Sequence, residues 1–238
     1  MDGKSPDHNR VLADAAKAVL APMGLVRKGR SRTWLDDRIW HLIVVEFQPS
    51  AWSKGSYLNV GAMWLWYEKD HFSFDHGYRV QEFESAGNLD WSARSRALAE
   101  AAAKGVGELR EEISDLAAAD RVLREGRHKV GWPLFDAAVA AGLVGDTGAA
   151  REAMDRLLSH EPSSPWQHAQ HTRMAEFRSA LHDRDAYRAR IVEEITRSRE
   201  AHKLPVRSAE QIESSLDFRA ERGVGATVRR RLGQLLDG

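Results

Sequence analysis

Apolar and polar positions alternate in two ways along this chain, and the change from one rhythm to the other divides it. Near the start, Val11, Ala15, Ala18 and Val19 recur at helical spacing, with Asn9 as a cap and Pro22 and Gly24 as stop signals, which predicts a first helix. The rhythm then shortens to two. Asp36 and Asp37 sit between two alternating runs and read as a hairpin turn. In the second run Trp40, Leu42 and Val44 point one way and Ile39, His41, Ile43, Val45 and Phe47 the other. Apolar residues on both faces predict a strand covered on both sides. A connection over residues 48–55 leads to a strand with Leu58, Val60, Ala62, Trp64 and Trp66 on one face. Tyr57, Asn59, Gly61, Met63, Leu65 and Tyr67 lie on the other. A last strand is predicted from Tyr78. The sum is one helix followed by an antiparallel sheet of about four strands.

Beyond residues 87–90 the period lengthens to 3.6. Asp90 caps a long helix carrying Leu98, Ala102, Val106, Leu109, Ile113 and Leu116, which Gly105 and Gly107 weaken. Gly126 closes the next segment. Pro133 opens a helix that Gly142 ends, and Asp146 caps a helix running back along it as an αα-hairpin. Ser164 and Pro165 start a helix whose buried stripe is read as Trp166, Ala169, Met174, Phe177 and Leu181. Tyr187, Ile191 and Ile195 mark the following helix, and Ser208 with Gln211 forms a capping-box pattern before Ile212 and Leu216. The predicted fold class is therefore α+β: an α+β domain over residues 1–88, then an all-α array of paired helices over 89–238.

Composition narrows the chemistry. The 238 residues include no cysteine, which removes disulfides, thiolate nucleophiles and cysteine-held metals. Lysine plus arginine and aspartate plus glutamate number 35 each, so no global field draws the chain to nucleic acid or anionic lipid. The polar start and the short aliphatic runs predict neither a secretory leader nor a membrane span, and the chain reads as cytoplasmic. Its abundance of Ala and Arg has a bacterial character. Six of the eight tryptophans (34, 40, 52, 64, 66 and 91) precede residue 92.

The segment from Gly24 to Trp64 resembles the bacterial domain-of-unknown-function family 4304. The resemblance lies in Gly24, Lys28, Gly29, Thr33, Trp34, Phe47, Gln48, Trp52, Asn59 and Gly61, taken in order over residues 10–85. Arg30 to Arg32 and the helical tail depart from that pattern. The resemblance implies a shared fold and supplies no activity.

Several clusters carry candidate chemistry. Gln48, Trp52 and Asn59 are expected to converge at one end of the sheet as polar groups beside an aromatic wall, with Arg27 and Lys28 at the rim, a combination suited to a ligand. The opposing reading puts Trp64 and Trp66 in the core, with Gly61 making room for a neighbouring ring. Arg27, Lys28, Arg30 and Arg32 offer a nucleic-acid grip, weighed against a charged hairpin edge. His71, Asp75 and His76 combine imidazole and carboxylate without the ordered spacing of a metal motif. His41, His71 or His76 with Asp75 also defines an alternative, a hydrolase or transferase. His160, His168 and His171, and the run Arg229, Arg230 and Arg231, read as solvated helix faces. No phosphate loop, dinucleotide fingerprint or nucleophile elbow is present. The leading expectation is a non-enzymatic binding or protein-interaction module without cofactor, whose partner is a protein or small molecule, with no membrane partner and nucleic acid disfavoured.

Overall fold

The computed structural model describes residues 7–50, 52–87, 90–125 and 129–217. Gly126 and Arg229, Arg230 and Arg231 lie outside the described residues. Eight helices and a five-stranded sheet make up the described chain: α1 (His8–Leu20), a 3-10 turn (Ala21–Met23), β1 (Val26–Arg27), β2 (Thr33–Asp37), β3 (His41–Pro49), β4 (Gly55–Trp64), β5 (His76–Ser85), then α2 (Trp91–Glu112), α3 (Leu116–Arg124), α4 (Trp132–Leu143), α5 (Thr147–Leu158), α6 (Pro165–Ala180), α7 (Arg184–Ala201) and α8 (Ala209–Ser215). The fold is α+β with an N-terminal helix, as the periodicity predicts.

The sheet is an antiparallel meander in the order β1-β2-β3-β4-β5. Its register pairs His41 with Trp64, Ile43 with Ala62, Val45 with Val60 and Phe47 with Leu58, so these residues share one face. Helices α1 and α2 cover that face. Gly105 of α2 is there for contact, since a Cβ on it would stand 3.4 Å from Val60. The glycine that weakens the helix in isolation therefore lets it close on the sheet. The α2 helix is tied at one end to α1, Trp91 Nε1 donating to the His8 carbonyl (3.0 Å), and at the other to the 3-10 turn after it, Arg110 donating to the Met23 carbonyl (2.8 Å). Arg110 also pairs with the buried Asp36 at 2.8 Å. The cut at residue 88 follows the change of rhythm, but packing crosses it: α2 belongs to the layer over the sheet.

The opposite face is divided. Leu42, Val44, Gly61 and Met63 are buried. Phe74 packs directly over Gly61, where a Cβ would meet its ring carbon at 3.0 Å. Phe72 stacks on His202 just past α7 (4.7 Å between centroids). Toward the β3–β4 hairpin the same face becomes polar and half-buried, with Glu46, Gln48, Tyr57 and Asn59.

Several local expectations shift. Asp7, not Asn9, caps α1 by accepting from the Asn9 amide. The helix buries Leu12, Ala16 and Leu20, leaving Val11, Ala15 and Val19 half-buried and Ala18 exposed. The two stripes are neighbours on one helix, and tertiary packing selects the one with the larger leucines. Asp36 and Asp37 end β2, and the turn falls at residues 38–40, because Arg110 and Arg199 hold the two carboxylates in the structure. On α6 the buried residues are Gln170, Met174, Phe177 and Ala180, with Leu181 buried just after it as predicted, while Trp166 and Ala169 are exposed. The left-handed residue after α4 is Gly145. Gly142 lies inside the helix, under Tyr187, whose hydroxyl donates to the Val139 carbonyl at 3.2 Å. The Ser208–Gln211 capping box forms with both hydrogen bonds.

Candidate binding face at the β3–β4 hairpin

Gln48 is next to the last residue of β3 and Asn59 lies on β4, one step diagonally across the ladder. The register therefore brings their amides together on the face that helices leave open. Asn59 Nδ2 donates to Gln48 Oε1 and to Glu46 Oε2, both at 3.1 Å. Arg79 on β5 donates to the same Gln48 oxygen at 3.0 Å, and its guanidinium lies 4.2 Å from the Tyr57 ring centroid. The result is a pre-ordered polar row backed by an aromatic ring. Trp52 stands at the tip of the hairpin that joins these strands. Its indole is 96% exposed, and its backbone amide is fixed by Ser50 Oγ at 3.1 Å.

The other predicted rim residues are employed elsewhere. Arg27 closes its own turn, donating to the carbonyls of Ser31 (2.7 Å) and Arg30 (3.1 Å). Lys28 donates to the His202 carbonyl and places its ammonium over Phe72, joining the sheet to the end of α7. Arg32 donates to Gly55 and Asn9. None of these bonds joins Arg27, Lys28 or Arg32 to Gln48, Trp52 or Asn59. Sequence spacing shows that the cations cluster; it does not show what they touch.

The candidate metal ligands separate as well. Exposed His71 pairs with Asp70 (2.7 Å), Asp75 is buried against Lys69 (2.6 Å), and His76 turns to Glu112 (3.1 Å). Among the described residues no group of three or more His, Asp or Glu side chains is placed to hold a metal ion. Burial and the neighbouring charges of His168 and His160 lower the pKa of His171.

His41 is buried beside Trp40 and Trp64, both ring nitrogens lacking a hydrogen-bond partner among the described residues. Burial, reinforced by Arg38 and opposed by Asp37, pushes its pKa from 6.5 to about 3. The unfolded chain takes up this proton below pH 6.5 and the folded chain does not, so His41 removes stability as the pH falls. His41→Leu is expected to gain on the wild type by about 1.4 kcal/mol for each pH unit below 6.5, read by urea unfolding at pH 4.5 and pH 8. An unchanged gap between those two pH values would assign the acid limb to another group.

The core placement of Trp64 and Trp66 was read from the sequence, but the partners of the tryptophan cluster were not. Trp40, Trp64 and Trp66 stack in the core, with Trp64 and Trp66 5.0 Å apart. Trp66 Nε1 donates to the buried Asp136 of α4 at 2.8 Å. Asp75 accepts from the Trp64 amide (3.0 Å) and pairs with Lys69, whose ammonium lies 5.2 Å from the Trp132 centroid. The only sequence signal was one aspartate inside an otherwise apolar helix, Leu134 to Leu143.

The fold and the open face define the class: an α+β protein with an N-terminal helix and an antiparallel sheet, and with an aromatic residue projected from a hairpin. Compared with known proteins, the chain matches no family model, no curated protein and no solved structure. Among the described residues no helix is long and apolar enough to cross a membrane.

Proposed function

We propose that the chain is a non-enzymatic binding module that engages a protein partner through the β3–β4 hairpin and the polar row beside it. The observation that carries this reading is Trp52. An indole left almost wholly in water gives nothing to the fold, whereas buried against a partner it contributes more than most side chains. Glu46, Gln48, Asn59 and Arg79 supply hydrogen bonds already fixed in place, which lowers the entropy cost of association. A projecting tip suits a protein groove better than it suits enclosing a small molecule. The same proposal groups residues 10–85 with the domain-of-unknown-function family 4304 on motif order.

The test uses wild-type protein and Trp52→Ala as immobilised bait against extract of the source cells, with Gln48→Ala and Asn59→Ala as further baits. Stability of Trp52→Ala should stay within about 0.5 kcal/mol of wild type, as for other surface substitutions. A specific partner should be retained by wild type and lost by Trp52→Ala. Equal retention by both overturns the reading.

A further inference from the structure

The sheet ends at β5, and among the described residues the ladder of this strand joins β4 alone. Its ten residues turn alternate backbone N–H and C=O groups away from β4, a template for one more strand. The opposite edge, β1, has only two residues. Residues 76–79 pair with 59–62 in unbroken register, and the slips in the ladder fall beyond them, at Ser56 and Leu58. Helix α2 runs beside the regular part and on along the strand. Arg94, near its start, meets Glu84 at 3.4 Å, and Glu112, at its end, meets His76 Nε2 at 3.1 Å. Helix and strand are therefore antiparallel, and the two stretches match in length at about 27 Å each. Between them lies a notch of about 110 Å³ with Val60, Gly77, Val80, Gly105 and Leu109 in its walls. The charged residues that line it, Glu108 and Glu112, are both acidic and half-exposed. Lys104 approaches Glu108 at 3.5 Å on the same helix, an exposed pair of small worth.

We propose that the free edge of β5 and the notch beside α2 form a strand-addition site for an extended, basic peptide of a protein partner. A strand laid along β5 bonds the outward backbone groups, and every second side chain of it faces α2. One aliphatic side chain fills the apolar notch. Two residues further on, the next side chain on that face reaches Glu108 or Glu112, because one helical turn and two strand residues each advance about 6 Å. A lysine or arginine there meets opposite charge, and a carboxylate is repelled. The site rests on the sheet edge and not on Trp52, so it stands or falls apart from the hairpin.

The test titrates the isotope-labelled full chain with an acetylated peptide that alternates valine and lysine, followed by amide shifts and hydrogen exchange. Two further peptides serve for comparison, one with glutamate for lysine and one with every amide N-methylated. The valine–lysine peptide should shift residues 76–85 and 105–112 and slow exchange along β5. The N-methylated peptide has no donors and should not bind. The glutamate peptide should bind about tenfold more weakly or worse. Glu108→Gln combined with Glu112→Gln should weaken the lysine peptide about fivefold, the scale of two exposed ion pairs. No binding at millimolar peptide, equal binding of either comparison peptide, or shifts confined to other residues would overturn the proposal. Concentration-dependent self-association that protects residues 76–85 and is indifferent to the Glu108→Gln and Glu112→Gln changes would give the edge to a second copy of the chain, and would equally overturn it.

Discussion

Gly77→Ala should disrupt the β4–β5 pairing and destabilise the protein by about 3 kcal/mol or more, the combined scale of backbone strain and overpacking. Gly77 faces Gly61 across the ladder at a φ of +118°, in the region that side chains rarely enter. A Cβ there would stand 2.5 Å from the Gly61 Cα and 2.6 Å from the Val60 carbonyl oxygen. Both are backbone atoms of a central strand and cannot rotate aside. Gly61 is held in turn, because a Cβ on it would meet the His76 carbonyl at 2.7 Å. The two glycines thus let the strands and Phe74 close together. Gly107→Ala is the control: its Cβ would meet nothing within 4 Å, and it should stabilise α2 by up to about 1 kcal/mol. Urea unfolding of both variants checks the pair. A Gly77→Ala protein as stable as wild type would mean that the strands do not approach this closely.

Arg199→Ala should cost about 3–5 kcal/mol, the scale for breaking a buried ion pair from one side. Arg199 is buried and grips Asp37 with both terminal nitrogens, at 2.8 and 2.7 Å. The same nitrogens donate to the carbonyls of Ile39 and Pro205, each at 2.8 Å. Ile39 sits at φ +73°, an unfavourable conformation for a β-branched residue, and the bond to its carbonyl helps hold the turn there. One guanidinium therefore fixes the β2–β3 turn, the end of α7 and the segment leading to α8. Lysine offers a single ammonium with no planar fork, so Arg199→Lys should recover only part of the loss. For Asp37, burial raises the pKa, and the hydrogen bonds and charge of Arg199, together with the Ile39 amide and the charge of Arg207, more than reverse it, leaving the carboxyl below 3.8. Its contribution is present above 3.8 and fades as the pH falls below that value. The deficit of Arg199→Ala should accordingly shrink toward pH 3. A pH-independent deficit would assign it to the lost carbonyl bonds alone.

Elements with a strong local period were legible in the sequence because that period is a local property. The alternation through Leu42, Val44 and Val45 and through Leu58, Val60 and Ala62 gave β3 and β4, and both-face burial of β3 followed from it. Caps at Asp90, Asp146 and Ser208 gave helix starts, since a side chain bonding an amide two or three residues on involves only neighbours. The adjacency of Gln48 and Asn59 was also legible, because two strands joined by a short connection fix their own register. The employment of Lys28 was not, because His202 lies 174 residues from it along the chain.

By itself, then, the sequence determined the α+β class, the change of rhythm near residue 88, and the neutral, cysteine-free surface chemistry. The tertiary structure decided which stripe of α1 and α6 is buried and that α2 lies on the sheet. It separated His71, Asp75 and His76 and left Trp52 in water, whereas the core placement of Trp64 and Trp66 was already read from the sequence. It also set the Trp66 indole against Asp136 of α4. The reason is common to all of these. Periodicity reports what a residue does for its own segment, whereas exposure, ion pairing and protonation depend on groups brought in from distant segments, whose identity no local pattern records.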